Sequence, residues 1–153
     1  MKHLAALAAV AAAGLVTAAV TSAAPGPQTL LLTSVQKQFT PVMANPKGAP
    51  RVGDRMIFSD ALYNRAAQLG KPRGARVGTA ENVCTFVPGR RLQCVLVAHL
   101  PNGDVTLTGS LSAGAKVQRF AVTGGVGAYA GSRGDATGRD VSETRSLVDL
   151  RLR

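Results

Sequence analysis

Beyond its first 25 residues the chain alternates apolar and polar side chains in short runs bounded by Gly, Pro and Asn clusters. A period of two is the pattern of a strand with one buried face. Thr29–Phe39, Asp54–Tyr63, Lys116–Thr123, Ser132–Asp140 and Ser146–Leu152 read as strands of this kind. A hairpin centred near Gly89, with Pro88-Gly89-Arg90-Arg91 as its turn, sets Phe86 opposite Leu92, Cys84 opposite Cys94, Asn82 opposite Leu96 and Ala80 opposite Ala98. That face is apolar apart from one amide. The other face carries Thr79, Glu81, Val83 and Thr85 against His99, Val97, Val95 and Gln93, and it reads as solvated. Asn102-Gly103 is a strong two-residue turn that extends the pattern, adding Leu107, Gly109 and Leu111 to the apolar face. Helix has room for one short turn, between Ala61 and Gly70. Successive hairpins predict an all-β, antiparallel closed barrel of about eight strands, which leaves no edge exposed. Its interior should hold Phe58, Asp60, Phe86, Leu92, Leu96, Leu107 and Leu111, with Asn82 as a polar group in the wall. Small residues at Ala80, Ala98 and Gly109 leave volume for a cavity of a few hundred cubic ångströms.

The first 24 residues do not share this pattern. Met1-Lys2-His3, an apolar run from Leu4 to Val20 and small residues up to Ala24 make a secretory signal, with cleavage after Ala23 or Ala24. The run is rich in alanine and lacks a basic stop-transfer flank, so no stable membrane anchor is expected. Residues 25–153 are then a single exported domain, too short for two cores. Removing the leader takes away one basic residue, leaving 17 against 8 acidic, or +9. This charge is scattered over turns and loops, and the six aromatic residues do not interleave with it, which argues against nucleic-acid binding. Attraction to an acidic envelope polymer remains open. The two cysteines, Cys84 and Cys94, face each other in the hairpin register and are expected to form a disulfide. With one histidine, His99, left after the leader, no metal site is expected.

Candidate chemistry is sparse. Phe120-Ala-Val-Thr-Gly-Gly-Val-Gly-Ala-Tyr129 places three glycines before one tyrosine, and Gly131 follows it, a corner in which Tyr129 can pin the bend. A phosphate loop would need Gly-Lys-Ser/Thr and a helix behind it, and neither is present. Ser110 and Ser142 have no base beside them, so a hydrolase triad is not supported. Glu81 and His99 lie on the threonine-rich solvated face.

The glycine corner followed by Ser132-Arg-Gly134 resembles a late strand-turn-strand motif of the allene oxide cyclase and dirigent superfamily. Val52-Gly-Asp-Arg-Met-Ile-Phe-Ser-Asp-Ala-Leu-Tyr63, Val77-Gly-Thr-Ala-Glu-Asn-Val-Cys84 and Leu100-Pro-Asn-Gly-Asp-Val-Thr-Leu-Thr-Gly109 are similar to further family motifs, in the same order. The resemblance implies an antiparallel barrel with an apolar cavity, commonly a homotrimer, which binds reactive hydrophobic molecules and steers cyclisation or coupling without a cofactor. The first-strand glutamate of the cyclases has no counterpart in Thr29–Phe39. Asp60 stands where plant cyclases carry asparagine and dirigent proteins tend to carry aspartate, and Arg133 matches a dirigent arginine.

An acid on the apolar face with Met56, Phe58 and Leu62 is either partnered or held protonated. Asp60 therefore caps a turn or pairs with a cation such as Arg133, or it serves the cavity as an acid. The reading for function is a secreted barrel that encloses a small hydrophobic molecule and steers its cyclisation or isomerisation. Asp60 is the catalytic candidate, and Phe58, Asn82, Phe86, Leu96, Leu111 and Arg133 are the ligand-contacting candidates. A non-catalytic carrier or interaction barrel and an envelope-polymer binder are the alternatives.

Overall fold

The computed structural model describes residues 26–153, so the secretory signal expected at residues 1–24 lies outside the described residues. Eight strands, β1 (Gln28–Val42), β2 (Arg55–Asn64), β3 (Arg76–Val87), β4 (Arg91–Leu100), β5 (Gly103–Ser112), β6 (Val117–Gly125), β7 (Gly134–Ser142) and β8 (Arg145–Leu152), follow one another around a closed barrel. Every neighbouring pair is antiparallel. β8 returns to β1 with Gln28 opposite Leu152 and Val35 opposite Arg145, so the sheet has no free edge.

The turn at Gly89 sets the register of β3 and β4 as expected. The next hairpin turns at Pro101-Asn102, one residue before the expected Asn102-Gly103, which keeps the expected inward face of β5 but shifts its partners. Phe86 faces Leu92, Cys84 faces Cys94, Asn82 faces Leu96 and Ala80 faces Ala98. Leu107 and Leu111 then face Leu96 and Leu92. Cys84 and Cys94 are joined by a disulfide. β1 runs three residues further than expected because a bulge between Gln36 and Gln38 lets it continue alongside β2 to Val42.

The short helical turn expected between Ala61 and Gly70 is absent. β2 continues through Asn64, and side chains rather than helical bonds satisfy the backbone beyond it. Asn64 Nδ2 donates to the carbonyls of Gln68 and Lys71, while Gln68 spans β1 by donating from Nε2 to the Leu31 carbonyl and accepting the Leu31 N–H at Oε1. The one helical element among the described residues is a 3₁₀ turn at Gly127–Tyr129, inside the glycine corner. Gly127 takes φ +63°, open to glycine at little cost, and Gly125 lies so close to Tyr129 that a Cβ would collide with it. Tyr129 is 3% exposed and its hydroxyl donates to the Pro101 carbonyl at 3.4 Å.

The two ends of the barrel differ. Leu30, Leu62, Leu100, Val105, Tyr129 and Leu152 meet in one buried cluster that closes the end carrying the β4–β5 turn and the 3₁₀ turn. At the other end, Gly114 and Ala115 of the β5–β6 loop and Glu143 and Thr144 of the β7–β8 turn border an open mouth.

Candidate functional site

Between the packed floor and the mouth lies a cavity of about 370 Å³, within the size range of small-molecule sites. Alternation along each strand decides what reaches it. β4 and β5 present Leu92, Leu96, Ala98, Leu107 and Leu111, and β6 presents Phe120. β2 contributes Met56, Phe58, Asp60 and Leu62 from every second position.

Asp60 is the polar centre of the β2 side. Its Oδ2 accepts a hydrogen bond from Ser34 Oγ at 2.8 Å and a longer one from Asn82 Nδ2 at 3.4 Å. Ser34 comes from β1 and is buried, and Asn82 comes from β3. Among the described residues no lysine or arginine pairs with Asp60. Burial pushes its carboxyl above the ordinary carboxylate value, and the Ser34 hydrogen bond pulls it partly back. Without a cation, the neutral acid is favoured to higher pH than in water. A protonated Asp60 can donate to a ligand oxygen or nitrogen, and its ionised form can accept a proton.

Phe58, Asn82, Leu96 and Leu111 all line the cavity, as does Cys84 of the disulfide. Phe58 also stacks on Phe39, whose ring centroid is 5.1 Å away at the rim. Two expectations need correction. Arg133 is exposed, directs its guanidinium to the Ser132 carbonyl, and pairs its backbone with Arg153. It precedes the first residue of β7, which faces Leu152 at the closed end, so it reaches neither Asp60 nor the cavity. Phe86 packs instead against the cluster of Cys84, Leu92 and Cys94, where its backbone is tied to Asp54 and Gly53 near the end of β3, and its side chain does not line the cavity. The space expected at Gly109 is filled by the Phe120 ring. Glu81 and His99 point outward, and His99 Nδ1 bonds Asp104 Oδ1 at 2.9 Å rather than Glu81.

Reasoning from the sequence passed over Ser34, Ser146, Gln118 and Asp140, which also line the cavity. The signal was present in the alternation: each is a polar residue on the parity otherwise held by Leu30 and Leu32 in β1, Phe120 and Val122 in β6, Ala136 in β7, or Val148 and Leu150 in β8.

No protein-family model and no curated protein matches the chain. Solved structures do. One described as pyocyanin demethylase is 27% identical with a TM-score of 0.64, covering 81% of this chain and 99% of its own. An exo-specific intermolecular Diels-Alderase is 14% identical with a TM-score of 0.60, covering 84% and 98%. A pterocarpan synthase dirigent protein is 16% identical with a TM-score of 0.56, covering 82% and 81%. The chain therefore has the closed barrel of the allene oxide cyclase and dirigent type, as its motifs implied.

Proposed function

We propose that the chain is an exported barrel that takes a small hydrophobic molecule into its cavity and steers that molecule's cyclisation or isomerisation without a cofactor. The observation that carries this reading is Asp60: a carboxyl without a cation, held by Ser34 and Asn82 in a dead-ended cavity and faced by the leucines of β4 and β5. Confinement selects the reactive conformer of a flexible molecule, which lowers the entropic part of the barrier to a unimolecular closure. Protonated Asp60 supplies a proton where negative charge develops on the substrate. The names of the structural neighbours, a demethylase, a Diels-Alderase and a dirigent protein, support conversion of unsaturated ring systems as the chemical class.

Export rests on the leader. The homotrimer implied by the family resemblance belongs to the same reading. Ile57, Val83 and Val95, exposed side by side on the outer face of β2–β4, form the apolar row that such an assembly would cover. Analytical ultracentrifugation of the exported protein checks it.

The test of function is turnover of pyocyanin, and of a conjugated polyene or quinone-methide-like compound, followed by absorbance and mass spectrometry. Asp60→Asn keeps the size of the side chain and removes the titrating proton, so it should bind these compounds but lose at least ten-fold in turnover. Activity of the wild type should fall as pH rises through the raised value of Asp60. Equal turnover in the variant removes Asp60 from the mechanism. Binding without turnover in either protein favours a carrier.

A further inference from the structure

Ser34 and Ser146 stand directly opposite each other on β1 and β8. Each gives its hydroxyl proton to a different carboxylate: Ser34 to Asp60 at 2.8 Å, and Ser146 Oγ to Asp140 Oδ1 at 2.7 Å. Gln118 Nε2 donates to the second oxygen of Asp140 at 3.3 Å, as Asn82 does more weakly to Asp60. The polar side chains Asn82, Asp60, Ser34, Ser146, Asp140 and Gln118 thus occupy inward positions on β3, β2, β1, β8, β7 and β6, six strands that are consecutive around the barrel. The remaining two strands, β4 and β5, face the belt with leucines and an alanine. The cavity has a polar half and an apolar half.

A belt of this kind is costly to a barrel that only encloses hydrocarbon, because two carboxyls lose solvation for no return. It becomes useful when a ligand meets both. Asp60 Oδ1 has no hydrogen-bond donor among the described residues, and both oxygens of Asp140 keep a lone pair after accepting Ser146 and Gln118. The two acids also sit at different depths. Asp60 is one inward position above Leu62 of the floor, while Asp140 lies near the end of β7, where its backbone N–H donates to the Lys116 carbonyl beside the mouth. Glu143 and Arg145 border the same rim.

We propose that Asp140, held by Ser146 and Gln118, is the outer acceptor of a two-point site whose inner acceptor is Asp60. The ligand is then a flat conjugated molecule that carries proton donors, hydroxyl, amine or cationic nitrogen, near both ends of one edge. Its opposite edge lies against Leu96, Leu107 and Leu111. Anionic ligands are disfavoured, since a carboxylate or sulfonate on that edge would meet the carboxylate of Asp140 in a confined space. This inference rests on the reading of the cavity as a small-molecule site, and it adds the substrate class to that reading.

Binding of three fluorescent tricyclic probes to the exported protein tests it. Proflavine has an amino group at each end of an acridine, acridine has neither, and anthracene-9-carboxylate carries the wrong charge. Proflavine should bind at least ten-fold more tightly than acridine, and anthracene-9-carboxylate more weakly than either. Asp60→Asn and Asp140→Asn should each weaken proflavine about ten-fold, or about 1.4 kcal/mol. Ser146→Ala, which removes one of the two groups that orient Asp140, should weaken it a few-fold and by a larger factor than it weakens acridine. It serves as the second variant if Asp140→Asn does not fold. Unchanged proflavine affinity in folded Asp140→Asn, or preferential capture of the carboxylate probe, overturns the proposal. Two-point binding in a protein that turns nothing over would sink the catalytic reading alone, and turnover with proflavine binding indifferent to Asp140 would sink this one alone.

Discussion

Ionising Asp60 is less favourable in the folded barrel than in the unfolded chain, because burial removes water and no cation replaces it. Its carboxyl is raised, so the native state holds the proton more tightly. The resulting stability is complete below the unfolded value, near 3.8, and is lost as pH rises through the raised value. Asp60→Asn abolishes that dependence. Thermal unfolding over the acid-to-neutral range should show the variant gaining on the wild type as pH increases, and a gap that does not change with pH would contradict the assignment. Asp54 behaves in the opposite sense. Its carboxylate accepts the backbone N–H groups of Ala44 and Arg51, which hold it below the ordinary value, so it stabilises above pH 3.8 and ceases to do so as pH falls through its lowered value. Protection of the Ala44 and Arg51 amides, relative to their intrinsic exchange rates, should therefore fall in acid, and Asp54→Ala should show the low protection at every pH.

At the level of strands and turns, the β3–β4 hairpin is closed twice, by its turn and by the disulfide. Replacing Cys84 and Cys94 together by serine should cost about 2–3 kcal/mol in urea unfolding, chiefly by freeing the unfolded chain. The β3–β4 hairpin was legible in the sequence because a turn fixes register locally: once Gly89 is placed, every facing pair from Thr79–His99 to Phe86–Leu92 follows. Asn102-Gly103 gave the inward face of β5 but not its partners, because the chain turns one residue earlier, at Pro101-Asn102. The closure of β8 on β1 was not. It joins residues more than 100 positions apart, with no shared turn to set their register, so the meeting of Ser34 with Ser146 could not be read from either strand. Face alternation put Asp60, Phe58, Asn82, Leu96 and Leu111 on the inner wall, where they line the cavity, and the motif match singled out Asp60 among them. Phe86 was misplaced because parity says which face a side chain takes but not its height in the barrel, and Arg133 because a motif match places a residue in the chain but not in the cavity. One glycine position lets the cavity itself be tested. Gly138 is on the inner wall of β7 in an ordinary extended conformation, and an added Cβ would meet only Gln118 at van der Waals distance. Gly138→Val should fill the cavity without loss of stability, since a β-branched residue suits a strand, and it should cut proflavine affinity by ten-fold or more.

Over the whole molecule, residues 25–153 carry a net charge of +9, with 17 basic against 8 acidic side chains, and of the basic ones only Arg145 borders the cavity. Two modes of binding can therefore be separated by salt. Capture of a neutral apolar probe should change less than two-fold between low and high ionic strength, whereas adhesion to an acidic polymer should collapse as screening shortens the reach of the charges. Strict salt dependence with no probe uptake would make the exterior the functional surface.

The packed floor carries a kinetic consequence. With Leu30, Leu62, Tyr129 and Leu152 sealing one end, the molecule is a cup rather than a tunnel, and whatever is made inside departs by the route its precursor took. Arrival and departure are mutually exclusive. Product should thus compete with substrate for the empty barrel, slowing progress curves early, and a mouth widened at the β5–β6 loop should quicken both steps together.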